Sequence, residues 1–194
     1  MNEIGVTDQI HQTIDDYLSA MRQNLAQLPA AEIRRMVDRL EEARAHGGQV
    51  FLFGNGGSAS TASHLAVDLA KVTIAPGKPR LKAIALTDNI AVISAWANDL
   101  SYDEVFSQQL QTHLQPGDVA IGISTSGRSP NVLNALRLAR SMGATTIGLT
   151  GCDGGQMNGL VDLCIKVPDN RTGRIEDVHL MLGHIVTACL ANKH

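Results

Sequence analysis

Apolar residues recur at Ile10, Ile14, Leu18, Met21, Leu25 and Leu28, at three- and four-residue spacing. That pattern predicts a helix with a single apolar stripe, capped by Thr7 and ended by Pro29. A second helix is predicted with Ile33, Met36, Val37 and Leu40 on one face, up to the His46-Gly47-Gly48 break. The pattern then changes to short apolar runs at 50–53, 83–86, 119–123, 146–149 and 163–167, separated by helical stretches. Five strands alternating with helices predict a parallel sheet covered on both faces, so the fold class is α/β with an N-terminal helical pair. Ser101 with Glu104 three residues on reads as a capping box, and Ser129-Pro130 as a helix start that Gly143 later closes. A last helix is predicted from about 174 to 190.

The chain has 194 residues, 44% hydrophobic and 18% charged, the profile of one globular domain spanning 1–194, with helices over 1–48 and the α/β core and last helix over 49–194. A net charge of −3 without runs of like charge advertises no nucleic-acid surface. No run of about 18 apolar residues points to a membrane. Cys152, Cys164 and Cys189 are odd in number and lack CxxC spacing, which argues for a reducing cytoplasm over a disulfide scaffold.

Ligands of such sheets sit beyond the carboxyl ends of the strands, and two unusual loops fall there. The first strand runs into Gly54-Asn55-Gly56-Gly57-Ser58-Ala59-Ser60, the third into Ser124-Thr125-Ser126-Gly127-Arg128-Ser129, each directly before a helix. Glycines allow close backbone approach, and a helix start turns unpaired N–H groups toward an anion. The hydroxyls of the second loop suit a phosphate monoester. Either loop alone also reads as an ordinary strand-to-helix turn. The first satisfies the G-x-G-x-x-A form of a dinucleotide site, but Asp88 comes later than the ribose-binding acid expected about 20 residues after the glycines.

His64 and Asp68 lie four residues apart on one face of the helix after the first loop, and Glu176, His179 and His184 lie near the other end of the chain. Each has a plain structural alternative, such as an Asp68–Lys71 ion pair. Glu176 and His184 are separated along a helix by about 12 Å and about 80°, which makes His179 the better geometrical partner of Glu176.

Strand-GNGGS-helix followed by ISTSGxS-helix, with LTGCDGG and Asn98-Asp99, resembles the sugar isomerase (SIS) domain and within it the phosphoheptose isomerase family, over nearly the whole chain. The resemblance implies a flavodoxin-like sheet and a homotetramer with active sites between subunits. The implied activity is aldose-ketose isomerisation of sedoheptulose 7-phosphate to D-glycero-D-manno-heptose 7-phosphate. It also implies that Asn55, Gly56, Gly57, Ser58, Asn98 and Asp99 contact the sugar, and that Ser124, Thr125, Ser126 and Ser129 hold the phosphate. His64, Asp68, Glu176 and His184 would bind a divalent metal such as zinc, with Asp68 and Glu176 also facing substrate and Asp68 and His184 acting as acid and base. His179 stays the rival of His184. The family usually has Glu at position 68 and Gln at 176; the first change shortens a carboxylate by one methylene and the second adds a negative charge. Other readings are an isomerase for another long-chain ketose phosphate, or a non-catalytic sugar-phosphate-binding or replication-initiator adaptor of the same fold.

Overall fold

The computed structural model describes residues 3–192, with side chains from Asp8 to Ala191. The helical pair is α1 (Glu3–Ala26) and α2 (Ala30–His46), and the alternating part follows as β1 (Gln49–Gly54), α3 (Gly57–Lys71), β2 (Lys82–Ala85) and α4 (Ile90–Asp99). Next come a 3-10 turn (Tyr102–Glu104), α5 (Ser107–His113), β3 (Val119–Ser124), α6 (Pro130–Ser141), β4 (Thr145–Gly151), β5 (Leu163–Val167) and α7 (Thr172–Asn192). The strands form one parallel sheet in the order β2-β1-β3-β4-β5. The chain reverses direction across the sheet between β1 and β3, so the loops after these two strands face a common crevice.

Alternation along β1 sorts the two cores. Val50 and Leu52 point to the face covered by α2, α3 and α7, and Phe51 and Phe53 to the face covered by α5 and α6. All four are fully buried, each contributing roughly 1.5–3 kcal/mol relative to exposure. α7 lays Ile175, Val178, Leu182, Val186 and Leu190 on the first face at helical spacing, which fixes its register against α3 and the sheet.

Three local expectations are corrected. Thr7 lies inside α1, which already begins at Glu3, and its side chain is outside the described residues. Pro29 does not end α1 but precedes α2, where its carbonyl accepts from Ile33 N–H at 3.1 Å. Ser101 and Glu104 form no capping box: Ser101 makes no side-chain cap, while the Glu104 carboxylate accepts from Ser107 and from Asn134 Nδ2. Glu104 is drawn away because α6 packs beside the 3-10 turn and offers it a donor.

The α1 stripe is half unpartnered. Met21 and Leu28 pack on the core, whereas Ile10, Ile14 and Leu18 are about half exposed. Among the described residues no helix is long and apolar enough to cross a membrane.

Candidate active site

At the end of β1 the chain turns through Asn55 and Gly56, whose φ of +54° suits only glycine, and α3 starts at Gly57. A Cβ on Gly57 would lie 2.5 Å from the carboxylate carbon of Glu176, so this glycine is bare because Glu176 of α7 covers it. The amino end of α3 welcomes negative charge, and here the chain itself brings a carboxylate to it. Ser58 is buried, with its Cβ against Gly54.

The β3–α6 loop gathers hydroxyls. Ser124 Oγ lies 3.0 Å from Ser129 Oγ and 3.4 Å from Ser126 Oγ, and Ser126 Oγ accepts from Arg128 N–H at 3.2 Å. Ser129 stands at the N-cap of α6 but makes no side-chain cap, so its hydroxyl is turned to the loop instead of to its own helix. Thr125 is half-buried and its carbonyl accepts from Gly151 N–H of β4 at 3.0 Å.

A second loop, after β4, backs this one. Gly127 has φ +61°, and its N–H donates to Ser124 O and its carbonyl accepts from Met157 N–H. Arg128 donates to Ser126 O at 3.0 Å and pairs with Asp153 at 2.9 Å. The Gly155 N–H and the Arg128 guanidinium hold the Asp153 carboxyl below its ordinary value. The phosphate-type loop is therefore built from neutral donors with one guanidinium beside it.

On α3, one turn apart, His64 and Asp68 face His184 of α7. His184 Nε2 lies 3.0 Å from His64 Nε2 and 3.7 Å from an Asp68 oxygen, and His64 Nε2 lies 3.5 Å from the same oxygen. Zinc with bonds of about 2.0–2.1 Å spaces tetrahedral ligands about 3.4 Å apart, so these two nitrogens and one oxygen are spaced to hold such an ion after small adjustments of the side chains. Glu176 does not join the three within one chain, because two turns of regular helix separate it from His184 and its carboxylate lies over Gly57.

His179 points the other way. It is fully buried, its Nε2 lies 3.2 Å from the Thr150 carbonyl, and Nδ1 has no partner among the described residues. Burial pushes the imidazole down to about 4, partly opposed by the Thr150 hydrogen bond. A neutral ring with Nε2–H donating to Thr150 O anchors α7 to β4, so His179 is no rival for the cluster. A histidine whose folded value is depressed adds stability that is full above about 6.5 and is lost as pH falls to about 4. Thermal melts from pH 7 to 4 should lose up to about 3 kcal/mol that His179→Gln does not lose. Asp169 acts only lower: burial pushes its carboxyl up, but hydrogen bonds from Arg174, Asn24, Arg171 N–H and Asn170 N–H outweigh this and hold it well below the usual range.

Asn98 and Asp99 are exposed at the end of α4, where Asn98 Nδ2 donates to Asp99 at 2.9 Å. The sequence reading missed two neighbours of Asn55. Asn131, in the first turn of α6, forms a reciprocal amide pair with Asn55 at 2.9 Å in both directions, and Tyr102 OH donates to Asn55 Oδ1 at 3.0 Å. The one available signal was that Asn131 closes the ISTSGRSPN segment at the start of a helix.

A SIS domain model matches residues 15–151. The phosphoheptose isomerase of Paramagnetospirillum magneticum is 44% identical over 174 residues, 88% of this chain and 90% of that protein. That of Burkholderia pseudomallei strain K96243 is 45% identical over 156 residues, 80% of this chain and 79% of that protein. Among solved structures, the phosphoheptose isomerase of Neisseria gonorrhoeae superposes with a TM-score of 0.86 at 30% identity, over 95% of this chain and 98% of that one. With these likenesses added to a five-stranded parallel sheet and its two strand-end loops, the chain belongs to the SIS domain family and, within it, to the phosphoheptose isomerases.

Proposed function

We propose that the chain interconverts sedoheptulose 7-phosphate and D-glycero-D-manno-heptose 7-phosphate, with Asp68 and His184 moving the protons and the β3–α6 loop holding the phosphate. The observation that carries this reading is the convergence of His64, Asp68 and His184 from two helices, 120 residues apart along the chain. The names of the relatives supply the substrate class, a phosphorylated heptose.

In the ketose-to-aldose direction Asp68 takes a proton from C1, the electron pair forms the C1–C2 double bond, and His184 protonates O2 to give the enediol. O1 then gives its proton to His184, the carbonyl forms at C1 as the double-bond electrons move to C2, and Asp68 returns its proton to C2, restoring both groups. Ser124, Thr125, Ser126 and Ser129 hold the phosphate, so remote binding orients the open chain for these transfers. Asn55, Gly56, Gly57, Ser58, Asn98 and Asp99 form the sugar side, with Glu176 at its edge. A zinc or similar divalent ion held by His64, Asp68 and His184 would supply Lewis-acid polarisation of the sugar oxygens. His184 presents only Nε2 to the cluster, so one nitrogen either ligates or carries the proton, whereas Asp68 has two oxygens and can do both.

The half-exposed α1 stripe supports assembly through α1, and a homotetramer with sites between subunits is the form we assign, working in the cytoplasm. Purified protein given sedoheptulose 7-phosphate should produce the aldose, followed by NMR. Suppression by a chelator and recovery with zinc identify the metal-bearing form. Turnover undiminished by chelation assigns His184 to proton transfer alone, and binding without product under any condition overturns the isomerase reading.

A further inference from the structure

The Asn55 amide is almost fully committed before any ligand arrives. Val132 N–H donates to Asn131 Oδ1 at 2.9 Å, and because an N–H needs an oxygen there, the first turn of α6 decides which way the Asn131 amide faces. Asn131 Nδ2 then meets Asn55 Oδ1, and Asn55 Nδ2 returns a bond to Asn131 Oδ1. Tyr102, arriving from the turn after α4, donates its hydroxyl to the same Asn55 oxygen. Both lone pairs of Asn55 Oδ1 are now filled and one of its two N–H groups is used.

We propose that Asn131 and Tyr102 are positioning residues that fix the Asn55 amide so that it offers the bound sugar one N–H donor and no acceptor. That Asn55 meets the sugar rests on the isomerase reading above, whereas the orientation of its amide does not. A lone donor at this place selects a carbonyl or alkoxide oxygen over a hydroxyl that needs somewhere to donate, so it favours the open-chain carbonyl form of the sugar. Asn131 is almost wholly buried, which makes the pair rigid, while Tyr102 is 53% exposed, so removing its hydroxyl leaves the core untouched.

The test uses Tyr102→Phe, Asn55→Ala, Asn55→Asp and the Tyr102→Phe/Asn55→Ala double variant. Steady-state constants are taken with sedoheptulose 7-phosphate, inhibition constants with inorganic phosphate, and side-chain amide spectra with 15N-asparagine in ligand-free protein. Tyr102→Phe is expected to lower kcat/KM about five- to tenfold, the scale of one hydrogen bond, with the phosphate inhibition constant unchanged. In the Asn55→Ala background the same change should add nothing. Asn55→Asp should lose at least as much as Asn55→Ala, because a carboxylate cannot donate. An equal effect of Tyr102→Phe in both backgrounds, or wild-type kcat/KM in Asn55→Asp, overturns the proposal. The spectra separate it from the isomerase reading: Tyr102→Phe should shift the Asn55 amide signals even if no sugar is turned over, and unmoved signals defeat the positioning role whatever the activity.

Discussion

Asp68→Asn and His184→Gln should each lower isomerisation of sedoheptulose 7-phosphate by about 10²–10⁴-fold while leaving phosphate binding largely intact. Asparagine keeps the shape of Asp68 but has no oxygen able to take a proton, and glutamine reaches toward the same space as His184 without a group that titrates. The Asp68 side chain is 17% exposed and His184 53%, so the carboxylate is the more enclosed of the two and the imidazole the more open to solvent. Exchange of solvent deuterium into C1 and C2 isolates the proton transfers from product release. If both variants exchange at the wild-type rate, the protons travel by other groups and the assignment is wrong.

Gly127→Ala should cost at least about tenfold in affinity for inorganic phosphate and on the order of 1–3 kcal/mol in stability. A Cβ at Gly127 would fall 2.0 Å from the carbonyl oxygen of Gly154 and 2.6 Å from its carbon, both backbone atoms that cannot swing aside as a flexible side chain can. The loop after β4 must then move away, taking with it the Met157 N–H that holds the Gly127 carbonyl, and the hydroxyls of Ser124, Ser126 and Ser129 lose their common focus. Gly77→Ala is the control. Its φ of +73° carries the same backbone strain, but nothing lies within 4 Å of the added carbon, so it should lose stability alone. Phosphate inhibition constants and melting temperatures of the two variants distinguish these cases, and an unchanged constant for Gly127→Ala would remove the loop from phosphate binding.

The strands were legible because each is a short apolar run whose alternation matches two packed faces, as Val50, Phe51, Leu52 and Phe53 show. The positions of the strand-end loops were legible too, since each glycine- and hydroxyl-rich run falls between an apolar strand run and a helix start, although either run alone also reads as an ordinary turn. The Asn55–Asn131 and Asn55–Tyr102 bonds were not, because they join side chains 76 and 47 residues apart whose local contexts look like ordinary helix and turn starts. Ser101 and Glu104 have the right spacing for a reciprocal cap, yet tertiary donors won the carboxylate. The relation of Glu176 to His184 needed only the helical rise, and helical geometry kept them apart. Which of His179 and His184 turned inward was set by the face of α7 that carries Ile175, Val178 and Leu182, a face the sequence leaves shared among several histidines and acids.

The carboxylate of Glu176 over Gly57 divides the two strand-end loops by polarity. The amino end of α3 already has a negative partner within the molecule, which agrees with the β3–α6 loop as the proposed phosphate site. A second dianion brought to the start of α3 would meet the Glu176 carboxylate, repulsion instead of donors. Under the proposed function, this polarity matches a sugar charged at one end and carrying its carbonyl, uncharged, at the other.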